Sequence, residues 1–148
     1  MSACGQIPLK PAIEATAFRV EIPGVARGKG RPRFGNGRTF TDPQTANAEA
    51  WVRQCAMDQV GQLMLEGPLR VDLSINVSVP ASWSKKKHAQ AMDGERWATG
   101  RPDVDNVSKL ALDALNGILW KDDAQVCCLS VVRQYAAAPA IIMTVTPL

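Results

Sequence analysis

The sequence is poor in the side chains that most enzymes use near neutral pH. It has one histidine, His88, in 148 residues. That shortage removes most mechanisms built on an imidazole base. Its four cysteines, Cys4, Cys55, Cys127 and Cys128, form no Cys-x-x-Cys pair, so a zinc centre is not expected. Cys55, Cys127 and Cys128 are expected instead as small, reduced core residues. No apolar run approaches the roughly 20 residues that cross a bilayer, and the N-terminus lacks a signal-peptide apolar region. The expected place is the cytoplasm, with no membrane partner. A complete phosphate-loop motif is missing, which removes an NTPase. Neither repeats nor a dividing linker interrupt the chain.

What remains is the composition of one globular domain, 46% hydrophobic and long enough for a real core. Residues 1–16 have no periodicity and contain Pro8 and Pro11. They are expected to form a loose arm ahead of a single domain at 17–148. Phe18, Val20 and Ile22 alternate with polar residues and predict a strand. Asp42-Pro43 is a helix-start signal, and apolar spacing continues to about Glu66, with Gly67-Pro68 as the stop. Leu69 to Val79 is the cleanest period-two run and predicts a half-buried strand. A short helix follows over Ser84–Met92 and a central helix over Asp105–Asn116. Strands are predicted at Val126–Ala136 and from Ile141 to Thr146, before Pro147. The expected fold class is α+β, a small mixed sheet packed with helices.

The net charge of +3 is modest, but its distribution is not even. Arg27, Lys29, Arg31, Arg33 and Arg38 fall within twelve residues that hold no acid. Glycines among them let backbone approach a partner closely, and arginines pair with phosphate oxygens. Phe34 and Phe40 interrupt this loop. Anchoring it to the core is their expected role, with stacking on an unpaired base the alternative. Lys85, Lys86 and Lys87 form a second basic run. Such runs are most often solvated surface, and this one stands as a second candidate DNA contact. Trp83 and Trp97 are expected to pack.

Four of the chain's 14 acidic residues are Asp103, Asp105, Asp122 and Asp123. One pair sits at the start of the central helix and the other just beyond its end. Clustered carboxylates repel, so such a group calls for a compensating cation or proton. All-oxygen donors suit Mg²⁺, with Mn²⁺ as a substitute. Lys109 lies one helical turn from Asp105 and can offset charge on a phosphate. The simpler reading has Asp105 capping the helix and Asp122-Asp123 forming a solvated turn. Spacing leaves both open.

The segment Arg101-Pro102-Asp103-Val104-Asp105-Asn106-Val107-Ser108-Lys109 is followed by Ala114-Leu115-Asn116-Gly117 and by Trp120-Lys121-Asp122-Asp123-Ala124-Gln125-Val126. Together they resemble the RusA family of Holliday-junction resolvases, whose signature reads approximately PDxDNxxK, then DAL(N/T)G, then a DDxQV run. Gly30-Arg31-Pro32-Arg33-Phe34 and Ser82 through Lys87 resemble segments of its phage-type, prophage-borne members. The resemblance runs from about Phe18 to the C-terminus. It implies a homodimeric, magnesium-dependent endonuclease that cuts four-way DNA junctions in recombination and repair. It places the essential acids on Asp103, Asp105 and Asp123 and the essential lysine on Lys109, with Asp122 beside them in an open role. A noncatalytic DNA-binding protein and a flap- or single-strand-specific nuclease are the alternatives.

Overall fold

The computed structural model describes residues 16–31 and 33–148. The expected N-terminal arm, all but its last residue, lies outside them. The strands among the described residues are β1 (Phe18–Pro23), β2 (Arg33–Gly35), β3 (Arg38–Phe40), β4 (Leu69–Ser78), β5 (Val126–Ala136) and β6 (Ala140–Pro147). The α-helices are α1 (Pro43–Gln59), α2 (Lys85–Met92) and α3 (Val104–Ala114). This is the α+β arrangement that the alternating and helical stretches predict.

β4 organises the sheet. It buries Leu69, Val71, Leu73 and Ile75 and turns Arg70, Asp72, Ser74 and Asn76 to the opposite face. The sheet order is β1-β6-β4-β5. β6 is antiparallel to both β1 and β4, whereas β5 runs parallel to β4. A parallel pair cannot be joined by a tight turn and needs a crossover. Here residues 79–125 make that crossover, and they carry α2, α3 and every acid of the two sequence motifs. α1 and α3 cover the apolar face, where Val20, Val52, Ala56, Leu110, Ala111, Leu115, Trp120 and Met143 join the β4 residues in one core.

Several local expectations are corrected. α1 ends at Gln59 rather than near Glu66, because Gly61 takes a left-handed φ of 75° and turns the chain. Leu63 and Met64 keep a helical spacing but lie in the segment where Leu65 N–H donates to the Leu119 carbonyl at 2.7 Å. The glycine–arginine loop contains a hairpin, β2 with β3, paired only with itself. Its turn is Asn36-Gly37, with φ of 51° and 77°, the two left-handed positions that this dipeptide favours. Phe34 and Phe40 do not anchor the loop to the core. They are 78% and 47% exposed. Trp97 is also exposed, whereas Trp83 packs edge-on against Tyr135 at 5.3 Å. Cys55 is a buried free thiol, Cys128 is buried but disulfide-bonded and not reduced as expected, and Cys127 is exposed. It falls where the β4–β5 register shifts, with Val126 opposite Leu69 and Cys128 opposite Arg70, so it has no cross-strand partner.

Candidate active site

The central helix starts at an acid that does not cap it. Asp103 occupies the N-cap position with extended backbone, yet its carboxylate makes no capping hydrogen bond. Its carbonyl accepts the Val107 N–H at 3.1 Å, so the helix begins properly while the side chain stays free. Asp105 lies inside the first turn and is not the cap, contrary to the simpler reading of the sequence. Both acids are exposed at a helix N-terminus, where the backbone dipole favours negative charge. Lys109, one turn on, is exposed and forms no ion pair among the described residues.

Arg133 fixes the segment leading into Asp103. From β5 its guanidinium donates through Nη1 to the carbonyls of Gly100 at 2.9 Å and Pro102 at 2.5 Å, and through Nη2 to that of Arg101 at 3.0 Å. Three consecutive carbonyls are thus held by one planar fork. Its Nε is buried without a hydrogen-bond partner among the described residues. No local pattern in the sequence announces this residue.

The glycine–arginine loop docks against the same helix start. A Cβ on Gly28 would stand 3.0 Å from Asn106 Cβ and 3.1 Å from Pro102 Cβ, and one on Gly30 would stand 2.8 Å from Thr45 Oγ1. The contact at Gly30 is closer than a Cβ allows and those at Gly28 are tighter than most Cβ contacts, so glycine eases the approach. Lys29 N–H donates to the Asn106 carbonyl at 3.3 Å and Gly30 N–H to Thr45 Oγ1 at 2.8 Å. Between the loop and the helix start lies a cleft of about 410 Å³, bordered by Arg27, Lys29, Arg101, Asp103 and Asn106.

The second acid pair is held by its own turn. Asp122 accepts the Ala124 N–H at 2.9 Å, and Gln125 Oε1 accepts the N–H groups of Lys121 at 2.9 Å and Asp122 at 3.3 Å. Gln125 Nε2 ties the turn to the carbonyls of Leu65 and Gly67. Trp120, fully buried, anchors its start and donates to Asn116 Oδ1 at 2.8 Å. The backbone N–H of Ala124 and the hydrogen bond with Asp123 hold the Asp122 carboxyl below its ordinary range. Asp123 is raised, first by burial, then by its hydrogen bond with Asp122 and the charge of Asp113.

Asp113 is the acid that the sequence reading passed over. It sits in the last turn of α3 and opens the Asp-Ala-Leu-Asn-Gly segment. Its proximity also raises the pKa of Asp123. Lys29 Nζ pairs closely with Asp113 and lies 3.6 Å from Glu49 Oε1. The hydrogen bond with Asp113 raises the Lys29 pKa, with burial acting in the opposite direction. Lys29 thus joins the basic loop to the acids, and its ammonium is taken up by them.

The other basic candidates divide. Arg27, Arg31 and Arg38 are exposed and form no ion pair among the described residues. Arg33 lies in β2, and its side chain is outside the described set. Lys85 and Lys86 are exposed, and Lys87 Nζ sits 4.1 Å from the Trp83 ring centroid. Among the described residues no three carboxylate, thiol or imidazole side chains converge into a ready-made metal cage. The donor chemistry nevertheless fits a hard cation. Magnesium commonly binds through one or two carboxylates, with waters and substrate phosphates completing the shell. The uncapped Asp103 and the partly buried Asp123 provide such carboxylates.

Residues 23–146, which include the docking loop, both acidic segments and β5, match the family described as Endodeoxyribonuclease RusA. The chain belongs to the RusA family. At family level this carries endodeoxyribonuclease activity directed at branched DNA junctions. The chain is also similar to the uncharacterized protein YqaN of Bacillus subtilis (strain 168). The two are 32% identical over 133 residues, 87% of this chain and 94% of that protein. No helix among the described residues of this RusA-family chain is long and apolar enough to cross a membrane.

Proposed function

We propose that this protein is a cytoplasmic, magnesium-dependent nuclease that resolves four-way DNA junctions in recombination and repair. The observation that carries the reading is the docking of an arginine-rich loop onto the helix start whose acids are left uncapped. Arg27 and the arginines beyond it receive phosphates, and the cleft leads them to Asp103. A bound Mg²⁺ or Mn²⁺ would be held by Asp103, Asp105 and Asp123, with Asp122 adjacent, and would supply water activation and charge neutralisation for in-line attack at phosphorus.

The chain's own residues do the positioning. Arg133 holds the backbone that presents Asp103. Gln125 and Trp120 fix the turn that presents Asp123. Lys29 balances Asp113, so that Asp123 is not surrounded by uncompensated charge. Lys109, without an ion pair among the described residues, stabilises negative charge on the phosphoryl group as it develops. A homodimer suits the substrate, since a four-way junction has near two-fold symmetry and a two-fold pair presents two matching sites. Paired cuts in opposing strands then release two nicked duplexes.

The test is incubation with a synthetic four-way junction and a matched linear duplex, with Mg²⁺ and with chelator. Paired nicks on the junction alone, abolished by chelator, are expected. Binding without cleavage in Mg²⁺ or Mn²⁺ would return the chain to a noncatalytic DNA-binding protein. Preference for flaps or single strands would replace the junction as substrate.

A further inference from the structure

We propose that the β2–β3 hairpin is a wedge that stacks Phe34 on an unstacked base at the branch point of the DNA, an inference that rests on the function proposed above. Gly35, Arg38 and Phe40 share one face of the hairpin and Phe34 and Thr39 the other. On the first face Gly35 has no side chain, and a Cβ there would stand 3.2 Å from Phe40 Cε1. The Phe40 ring therefore lies across the hairpin and stiffens it. On the other face only a threonine stands opposite Phe34, whose ring is 78% exposed.

An exposed aromatic ring can meet a base or another protein, and charge decides between them. No acid occurs between Glu21 and Asp42, and Arg31 and Arg38 flank the ring without ion pairs among the described residues. A second copy of the hairpin would bring the same positive charge, whereas DNA brings phosphates beside a π-face. The hairpin is also continuous with the Gly28–Gly30 segment docked at the acid-bearing cleft. A base held by Phe34 thus lies on the strand that feeds the cleft. Intact duplex offers no such base, so the ring favours branched over linear DNA.

The experiment uses the full chain, as wild type, Phe34→Ala and Phe34→Trp, with 2-aminopurine at the branch point of a four-way junction and within a linear duplex. Phe34→Ala is expected to lose on the order of ten- to a hundred-fold in junction affinity, the usual effect of removing a base-stacking ring. Duplex affinity and the salt dependence of binding should stay unchanged, because no phosphate contact is lost. The 2-aminopurine signal should respond to wild type and Phe34→Trp but not to Phe34→Ala. Wild-type junction affinity in Phe34→Ala would overturn the wedge. So would an equal loss on junction and duplex, or conversion of a dimeric particle to monomers, which would make Phe34 a protein contact. Failure of the wild type itself to prefer the junction would instead bring down the proposed function.

Discussion

Replacing Arg133 with leucine separates stability from catalysis. Its guanidinium makes three hydrogen bonds to carbonyls, and bonds from a charged donor are worth about 1.5–3 kcal/mol each. The bonds to Gly100 and Arg101 are exposed, so water replaces most of what is lost there. The Pro102 bond is part-buried and is the main loss. Against it stands Nε, buried without a partner among the described residues, whose removal relieves about 1–3 kcal/mol. The net cost should be about 0–2 kcal/mol, a modest part of a domain's stability. Cleavage should suffer far more, because the carbonyl of Pro102 is one peptide from Asp103. Misplacing a reacting group by about 1 Å costs about 10²-fold in rate. Arg133→Lys should recover little, since an ammonium keeps the charge without the planar fork. Single-turnover cleavage of a four-way junction at saturating protein, paired with urea melts, measures both quantities. Cleavage at the wild-type rate, or a loss no larger than the unfolded fraction explains, would refute the positioning argument.

Asp103→Asn and Asp123→Asn should each abolish cleavage and leave junction binding intact or tighter, since each removes a repulsive carboxylate; gel shifts alongside cleavage assays check both. Lys109→Ala should lower the single-turnover rate by about 10²–10³, as for another preorganised donor, while changing stability by less than ~1 kcal/mol. Near-normal cleavage would return Lys109 to a surface role. Lys29→Met should lower stability and activity together, because Lys29 joins the loop to Asp113 and Glu49. The Lys29 pKa is raised in the fold. Its contribution is therefore complete below the ordinary lysine value and lost as pH climbs through the raised one. Denaturation midpoints of wild type and Lys29→Met should differ at pH 7 and converge in strongly alkaline solution.

The sheet was legible because its signals are local. β4 shows strict alternation, and β5 and the Ser84-capped α2 lie where pattern and turn residues place them. Local signals also misled. Apolar spacing carried α1 past Gly61, where one backbone angle ends it. Asn36-Gly37 announced a hairpin, but the surrounding arginines read as loop. The acids Asp103, Asp105 and Asp123 stood out by clustering. Asp113 did not, since a lone acid late in an amphipathic helix looks like solvated surface. Arg133 and the pairing of Lys29 were not legible. Arg133 meets carbonyls more than thirty positions earlier in the chain, and Lys29 meets Asp113 across an even longer separation. Only the folded backbone creates those meetings.

The parallel pairing of β4 with β5 has a consequence for the order in which the molecule becomes itself. All of the clustered acids lie in the crossover at residues 79–125, upstream of both strands that flank β4. During synthesis they leave the ribosome before β5 and β6 exist, and Arg133 follows them. Closing so long a crossover costs entropy that is recovered only when the distant strands pair, which makes such pairings late events in folding. An unfinished or half-folded chain therefore carries every acid but lacks the strand that aligns them. The backbone that presents Asp103 is therefore held by Arg133 only once the sheet is complete.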